Sequence, residues 1–167
     1  MDNRIDVTKT FFPPINEYFE QVNRIWKNSW LTNNGELYKE LTTKLSKFLE
    51  SDYVIPMTNG SLPIHLALNA LADQGEVITT PFSYVATTAS IVWEKCTPVF
   101  VDIDPKFLTI DETKIQAAIT EKTTAILATH VFGNPCEVEA IEKIAKKYNL
   151  KVIYDAAHCF GVRYKGK

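Results

Sequence analysis

The residues with the clearest potential for chemistry lie together in the segment that ends at His158. Lys151–Tyr154 is short and rich in β-branched and aromatic residues, which predicts a buried strand. Asp155 follows that strand, and two alanines separate it from His158. Because α/β enzymes bind their ligands at the carboxyl ends of parallel strands, a carboxylate and an imidazole at this point indicate a ligand site.

Asp155 needs a partner, because a buried carboxylate without one destabilises the fold by several kcal/mol. A protonated nitrogen of a bound heteroaromatic ring would be such a partner, and nearby backbone N–H groups are the alternative. The small side chains of Ala156 and Ala157 leave room for a ligand and favour the ring. Cys159 beside His158 also allows a nucleophile with its base, although no companion motif supports that chemistry.

A second candidate site is the turn that contains Asn59, Gly60 and Ser61 and leads directly into an apolar helical segment. A glycine and a hydroxyl at the start of a helix can form a cradle for a phosphate group. The turn matches neither the Walker loop nor the G-x-G-x-x-G pattern. Taken alone, it is better explained as an ordinary helix cap in which Ser61 or Asn59 is the capping residue.

Side chains at the ends of other predicted strands give weaker signals. Tyr84 could stack on a planar ring or belong to the core, and a core position is favoured for Phe82. Asp102 and Asp104 could bind a metal, but D-x-D-P is more typical of a turn after a strand. His130 is interpreted as a structural histidine rather than as a site residue.

The elements that must position these residues alternate along the chain from about residue 50. Five short segments are predicted to be strands, and segments with helical periodicity separate them. This alternation predicts an α/β fold with a mostly parallel sheet that has helices on both faces. The predicted strands are Tyr53–Met57, Glu76–Thr79, Pro98–Val101, Thr124–Thr129 and Lys151–Tyr154.

The chain before residue 51 has a different character and is predicted to be helical. Two amphipathic patterns follow Pro13 and Pro14, and a turn-rich connector beginning at Trp30 separates them. We therefore divide the sequence into a helical segment, residues 1–50, and an α/β segment, residues 51–167.

Composition excludes several classes of protein. The net charge of −2 without blocks of like charge gives no reason to expect a nucleic acid partner. No apolar run approaches the ~18 residues that a membrane span requires, and the N-terminus lacks a signal-peptide core. Three widely spaced cysteines argue against a disulfide framework and a zinc site. These features predict a cytoplasmic protein that binds no metal and no membrane.

The motifs, taken in their order along the chain, resemble the DegT/StrS-type sugar aminotransferases. Members of that family are enzymes that depend on pyridoxal 5′-phosphate (PLP) and have the aspartate aminotransferase fold. The segments that carry the resemblance are Trp30–Asn33, Thr58–Ser61, Pro81–Thr87, Pro98–Asp102, His130–Gly133 and Asp155–His158.

The resemblance implies a role for each candidate site residue. Gly60 and Ser61 would bind the phosphate of PLP, and Tyr84 would stack on its ring. Asp155 would pair with the protonated ring nitrogen, and His158 would lie near the phenolic oxygen. A further segment would form the mouth of the substrate site, with the residues Trp30, Thr32 and Asn33.

The activity implied is amino transfer, usually from glutamate, to a keto group of a nucleotide-linked sugar in glycan or O-antigen biosynthesis. The complete protein is expected to be a homodimer. Members of the family are about twice as long as this chain, more than one domain of ordinary size. Their Schiff-base lysine follows the motif that ends here at His158, in a segment this chain does not reach.

The sequence therefore predicts an N-terminal part of such an enzyme, with the first part of the PLP-binding large domain and without the small C-terminal domain. It is expected to carry no catalytic lysine and to be inactive alone. The alternative is a non-catalytic binding or regulatory module, such as a decayed paralogue that pairs with a complete subunit. A generic nucleotide-binding α/β domain has little support, because the chain lacks a glycine-rich phosphate loop.

Overall fold

The computed structural model describes Ile5 and residues 9–166 of the 167-residue chain. The chain divides into two compact units, one that ends at Pro56 and one that begins at Met57. The sequence placed this division between residues 50 and 51.

The first unit contains two helices, α1 (Ile15–Asn28) and α2 (Glu36–Leu49), as the two amphipathic patterns predicted. Pro14 precedes the first turn of α1, where a proline costs no hydrogen bond. The two helices are joined by Arg24, whose guanidinium donates to the carboxylates of Glu36 and Glu40. Hydrogen bonds from Lys44 and Arg24 lower the pKa of Glu40 to about 2.

The second unit is built on a four-stranded parallel sheet with the strand order β2-β1-β3-β4. The predicted fold class, a mostly parallel sheet with helices, is confirmed. Along the chain the elements are α3 (Ser61–Leu71), β1 (Glu76–Thr79), α4 (Val85–Trp93), β2 (Thr97–Phe100), α5 (Glu112–Ile115), a 3₁₀ turn (Gln116–Ala118), β3 (Thr123–Thr129), α6 (Val138–Tyr148) and β4 (Lys151–Asp155).

Two separate hydrophobic clusters show that helices cover both faces of this sheet. Successive strand residues point to opposite faces, so Val77 belongs to one cluster and Ile78 to the other. The Val77 cluster includes Leu68 of α3 and Ile91 of α4. The Ile78 cluster includes Ile141 of α6. β1 is therefore buried on both of its faces, with Val77, Ile78 and Thr79 all at 0% exposure.

The prediction of a strand at Tyr53–Met57 is wrong. In the part of the chain that the structure describes, the sheet has four strands and none of them pairs with this segment. The side chains of Tyr53 and Ile55 are 94% and 71% exposed. Apolar and β-branched residues suit a strand, but a strand forms only where a neighbour completes its hydrogen bonds.

The other four strands lie where the sequence predicted them, with small differences at their ends. β2 is Thr97–Phe100 rather than Pro98–Val101, and β3 begins at Thr123. β4 extends to Asp155, so this carboxylate belongs to the last residue of the strand itself.

Gly75 lies immediately before β1, where the chain passes very close to β3. A Cβ atom at this position would lie 2.3 Å from Cγ2 of Thr124 and 2.7 Å from the carbonyl oxygen of Lys122. Both distances are shorter than van der Waals contact. The same approach allows the N–H of Glu76 to donate to the carbonyl of Lys122 at 2.8 Å. Only glycine fits here without displacing β3.

Within the described residues, we find no helix with the length and apolar character that crossing a membrane requires.

Candidate functional site

The carboxyl ends of β1, β3 and β4 lie at the same edge of the sheet because these strands are parallel. A cavity of about 390 Å³ opens at this edge. It is lined by the start of α3, the loop before α4 and the residues at the ends of β3 and β4. Its lining includes five residues that the sequence singled out, namely Gly60, Ser61, Tyr84, Asp155 and His158.

Asp155 is half-buried at the end of β4, and both of its carboxylate oxygens accept hydrogen bonds. Oδ2 accepts from the hydroxyl of Thr87 at 2.8 Å, and Oδ1 accepts from the N–H of Ala157 at 3.2 Å. The carboxylate thus has one backbone donor, as the alternative interpretation expected. It also lines the cavity, so it can accept from a ligand there.

The start of α3 is capped by Asn59, which confirms the helix-cap interpretation of this turn. Oδ1 of Asn59 accepts from the N–H groups of Ser61 and Leu62, both at 3.1 Å. A Cβ atom built on Gly60 would meet no atom within 4 Å, so the space above the turn is open. An anion bound at this helix start would take these N–H groups over from the Asn59 side chain.

Tyr84 and Phe82 do not belong to the core, so the core interpretation is wrong for both. Tyr84 is 72% exposed and occupies the N-cap position of α4. Phe82 is 41% exposed, and its ring meets the ring of Phe132 edge-on with centroids 6.4 Å apart. Both side chains lie in or at the end of the loop between β1 and α4, which leaves them exposed. The ring of Tyr84 is therefore accessible to a planar ligand.

His158 packs against Phe132, a residue that the sequence did not identify as part of the site. The two rings are stacked with centroids 5.6 Å apart. Both side chains also line a second cavity of about 300 Å³ that shares Tyr84 with the first. Phe132 reaches this position because its φ is +53° and that of Gly133 is +87°. The Phe-Gly pair after a strand was the available signal for such a turn.

His130 is a structural residue, as predicted. Its Nδ1 accepts the N–H of Cys136 at 3.0 Å, and its ring stacks on that of Tyr154 at 4.7 Å. Burial lowers the pKa of His130 below its usual value, and the nearby Asp155 partly opposes that effect.

The prediction of a turn at Asp104 is also confirmed, because its carboxylate accepts the N–H groups of Lys106 and Phe107.

Cys159 is buried and free, as are Cys96 and Cys136. A nucleophile must reach its substrate, and the side chain of Cys159 is only 8% exposed. This burial disfavours the interpretation of Cys159 as a nucleophile.

The three residues predicted at the substrate mouth lie in the first unit, in the connector between α1 and α2. The indole N–H of Trp30 donates to the carbonyl of Asn33 at 3.1 Å, which closes the turn around Thr32. The ammonium group of Lys39 lies 5.5 Å from the Trp30 ring. The ring is 52% exposed. The structure thus brings these three residues to one turn.

Hydroxyl groups beside Asp155 are the other feature that sequence reasoning missed. Ser83 and Thr129 line the cavity, and Thr87 contacts the Asp155 carboxylate. Ser83 and Thr87 lie in the Pro81–Thr87 segment and Thr129 ends β3, but nothing in the sequence places the three hydroxyls beside Asp155.

Comparison with known proteins gives one consistent family. The model of the DegT/DnrJ/EryC1/StrS aminotransferase family matches residues 15–167. The dTDP-4-amino-4,6-dideoxy-D-glucose transaminase of Escherichia coli is 51% identical over 165 residues, which are 99% of this chain and 44% of the relative. The chain thus spans less than half the length of the curated relatives it matches.

Solved structures agree with this assignment. DesI, in a crystal structure with its TDP-sugar product, has a TM-score of 0.83 and 31% identity, covering 89% of this chain and 38% of that chain. NtdA from Bacillus subtilis, with the bound cofactor PMP, has a TM-score of 0.83 and 29% identity, covering 98% of this chain and 40% of that chain. The fold shared with these structures is the aspartate aminotransferase-like fold of PLP-dependent enzymes.

Proposed function

Because the chain belongs to the DegT/DnrJ/EryC1/StrS aminotransferase family, we propose that it serves amino transfer to a keto group of a nucleotide-linked sugar. The amino donor in this proposal is glutamate. The observation that carries the proposal is the cavity in which Asp155, Tyr84 and the start of α3 converge. The activity, substrates and partners belong to the whole protein and are part of the proposal.

Family membership and the neighbour with bound PMP imply PLP as the cofactor. When bound, PLP supplies an electron sink for amino transfer. The residues present fit such a group. A cavity of about 390 Å³ is in the range of small-molecule sites, and its lining includes a carboxylate and a helix start.

Asp155 is proposed to accept a hydrogen bond from the protonated ring nitrogen. Its carboxylate is held by Thr87 and Ala157, so its orientation is fixed before a ligand arrives. An anionic acceptor stabilises the protonated ring, because a charge-assisted hydrogen bond is about twice as strong as a neutral one. Asp155 thereby holds a proton on the ring nitrogen.

The other cofactor contacts are proposed for the residues that surround Asp155 in the cavity. Gly60 and Ser61 would bind the phosphate with backbone N–H groups and a hydroxyl at the positive end of the α3 dipole. Tyr84, whose ring is exposed, would stack on the cofactor ring. His158 would lie at the phenolic oxygen, with its ring held by Phe132.

Trp30, Thr32 and Asn33 are proposed to contact the sugar substrate. This is supported by the E. coli relative, a transaminase of a dTDP-linked sugar, and by the exposed Trp30 ring in a closed turn. A homodimer is proposed for the complete protein. Exposed apolar side chains on α3 and α4, including Leu66 at 57% and Trp93 at 79%, support a partner surface there.

The catalytic lysine is proposed to lie outside these 167 residues. Within the described part of the chain, no lysine lines the cavity. Lys165 is instead paired with Glu139, with Nζ 2.7 Å from Oε1. Among the described residues, no lysine is therefore placed in this cavity to bind PLP covalently.

Fluorescence titration of the chain with PMP and PLP tests the proposed function. We expect saturable binding, and we expect Asp155→Asn to weaken it at least about tenfold, because a charged acceptor is lost. Asp104→Asn makes the same chemical change in a turn and should leave the affinity unchanged. Equal affinity in the wild-type chain and Asp155→Asn would contradict the proposed role of the carboxylate.

A further inference from the structure

Three hydroxyl side chains form a continuous run of hydrogen bonds that ends on Asp155. Oγ1 of Thr129 lies 3.2 Å from Oγ of Ser83, which lies 2.6 Å from Oγ1 of Thr87. Oγ1 of Thr87 lies 2.8 Å from Oδ2 of Asp155. The run joins the end of β3, the loop after β1, the first turn of α4 and the end of β4. We call these three residues the hydroxyl relay.

The direction of every hydrogen bond in the relay follows from the number of protons available. An ionised carboxylate can only accept, so Thr87 donates its single hydroxyl proton to Asp155. Ser83 must then donate to Thr87, since Thr87 has no second proton to give. For the same reason Thr129 donates to Ser83. All three bonds point towards Asp155, an arrangement in which each bond polarises the next.

Burial makes these bonds important. Thr87 is fully buried at 0% exposure, and Thr129 is 3% exposed. Removing the Thr87 hydroxyl would therefore take the donor from Oδ2 of Asp155 and the acceptor from the Ser83 hydroxyl proton, at a position where Thr87 itself is closed to water. A threonine that only filled space could be replaced by valine without such a penalty.

We infer that Thr87 is a positioning residue for the cofactor, and that the relay Thr129–Ser83–Thr87 holds the Asp155 carboxylate as an oriented acceptor for the protonated ring nitrogen. This inference rests on the proposed function. Thr87 does not line the cavity, so it acts through Asp155 and not by touching the ligand. Ser83 precedes Tyr84, so the relay also ties the loop that carries the stacking ring to the carboxylate.

Three variants separate positioning from packing. Thr87→Val removes the donor and keeps the shape, and Thr87→Ser keeps the donor. Thr79→Val is the matched control, because Thr79 is also 0% exposed and its hydroxyl has no hydrogen-bond partner among the described residues. Each variant is titrated with PMP, and the ring nitrogen of bound ¹⁵N-labelled PMP is observed by NMR.

We expect Thr87→Val to bind PMP about tenfold more weakly, because a bond to a charged group is lost. Its ¹⁵N signal should move towards the value of the unprotonated ring. Thr87→Ser should restore both the affinity and the signal, and Thr79→Val should change neither. If Thr87→Val does not fold, Thr87→Cys takes its place, since a thiol is a weak donor, and the same direction is expected.

A wild-type ¹⁵N signal and wild-type affinity in Thr87→Val would overturn the inference, as would failure of Thr87→Ser to restore them.

If the wild-type chain itself binds no PMP, the proposed function fails and the relay is judged on the ligand-free chain. Urea unfolding of Thr87→Val, Thr129→Val and the double variant then decides. If the relay is coupled, the unfolding constant of the double variant differs at least about twofold from the value calculated from the two single variants. Agreement between the two values would refute the relay.

Discussion

The side chains near the strand ends differ in their hydrogen bonds and in their exposure, and these differences determine whether each one can contact a ligand. Asp155 is held on both oxygens and can act as a rigid acceptor. Tyr84 is 72% exposed, so it contributes little to folding and is available to a ligand. His130 is half-buried between Cys136 and Tyr154 and acts in the structure instead of at the cavity.

Tyr84→Ala is expected to weaken PMP binding about two- to tenfold, the range of an aromatic stacking contact. Tyr84→Phe keeps the ring and should bind like the wild type. The urea midpoints of both variants should match the wild type because the side chain is exposed. Fluorescence titration measures the affinities. A loss in Tyr84→Phe as large as that in Tyr84→Ala would exclude stacking as the main contribution.

His130 should make stability depend on pH. Burial lowers its folded-state pKa below the usual 6.5, so the unfolded chain takes up the proton more readily. Stability is then fully present above about pH 6.5 and falls as the pH decreases towards the folded-state pKa. In His130→Asn, whose amide oxygen can replace Nδ1 as acceptor, the loss of stability between about pH 7.5 and 5.5 should be smaller. Urea unfolding at both pH values measures this, and equal losses would contradict it.

At the scale of elements, the parallel strands bring distant residues to one edge of the sheet. β1, β3 and β4 end beside one another, and the helices that follow β1 and precede β4 cover opposite faces. This arrangement depends on close contact between β3 and the turn before β1, where Gly75 lies against Thr124. Gly75 itself does not line the cavity, so a substitution there tests the packing of the sheet and not a ligand contact.

Gly75→Ala is expected to lower the free energy of unfolding by about 2 kcal/mol, because its Cβ would overlap Thr124 and the backbone of Lys122. Gly60→Ala is the matched control for folding. Its Cβ would meet nothing within 4 Å, and its φ of −74° suits alanine. Urea unfolding of the two variants tests the difference. If Gly75→Ala were as stable as Gly60→Ala, the close approach would not be a constraint.

Local sequence patterns predicted the four strands that pair with a neighbour in the sheet. The same kind of pattern gave a wrong strand at Tyr53–Met57, which has no such neighbour among the described residues. Four strands lie where β-branched residues and turn signals indicated, and Tyr53–Met57 carries the same signals without a strand neighbour. The site shows the same limit. Asp155 was identified from its strand end, but Thr87 was not, because 68 positions separate it from Asp155 and only the fold joins them.

At the scale of the whole molecule, the motifs taken together identified a family that no single motif could identify. The turn at Asn59–Ser61 is an ordinary helix cap by itself. Its position beside Asp155 and Tyr84 in one cavity is the observation that supports the proposal of a phosphate site there. The chain belongs to the aminotransferase family and spans less than half the length of the curated relatives it matches.

The structure of this chain determined with PMP bound would show directly whether Asp155 receives the cofactor ring. We expect the phosphate at the start of α3, the ring against Tyr84 and the ring nitrogen within about 3 Å of an Asp155 oxygen, the distance of a charge-assisted hydrogen bond. PMP bound away from this cavity, or in it with the ring nitrogen facing solvent and Asp155 bonded only to Thr87 and Ala157, would rule out this mode of cofactor binding.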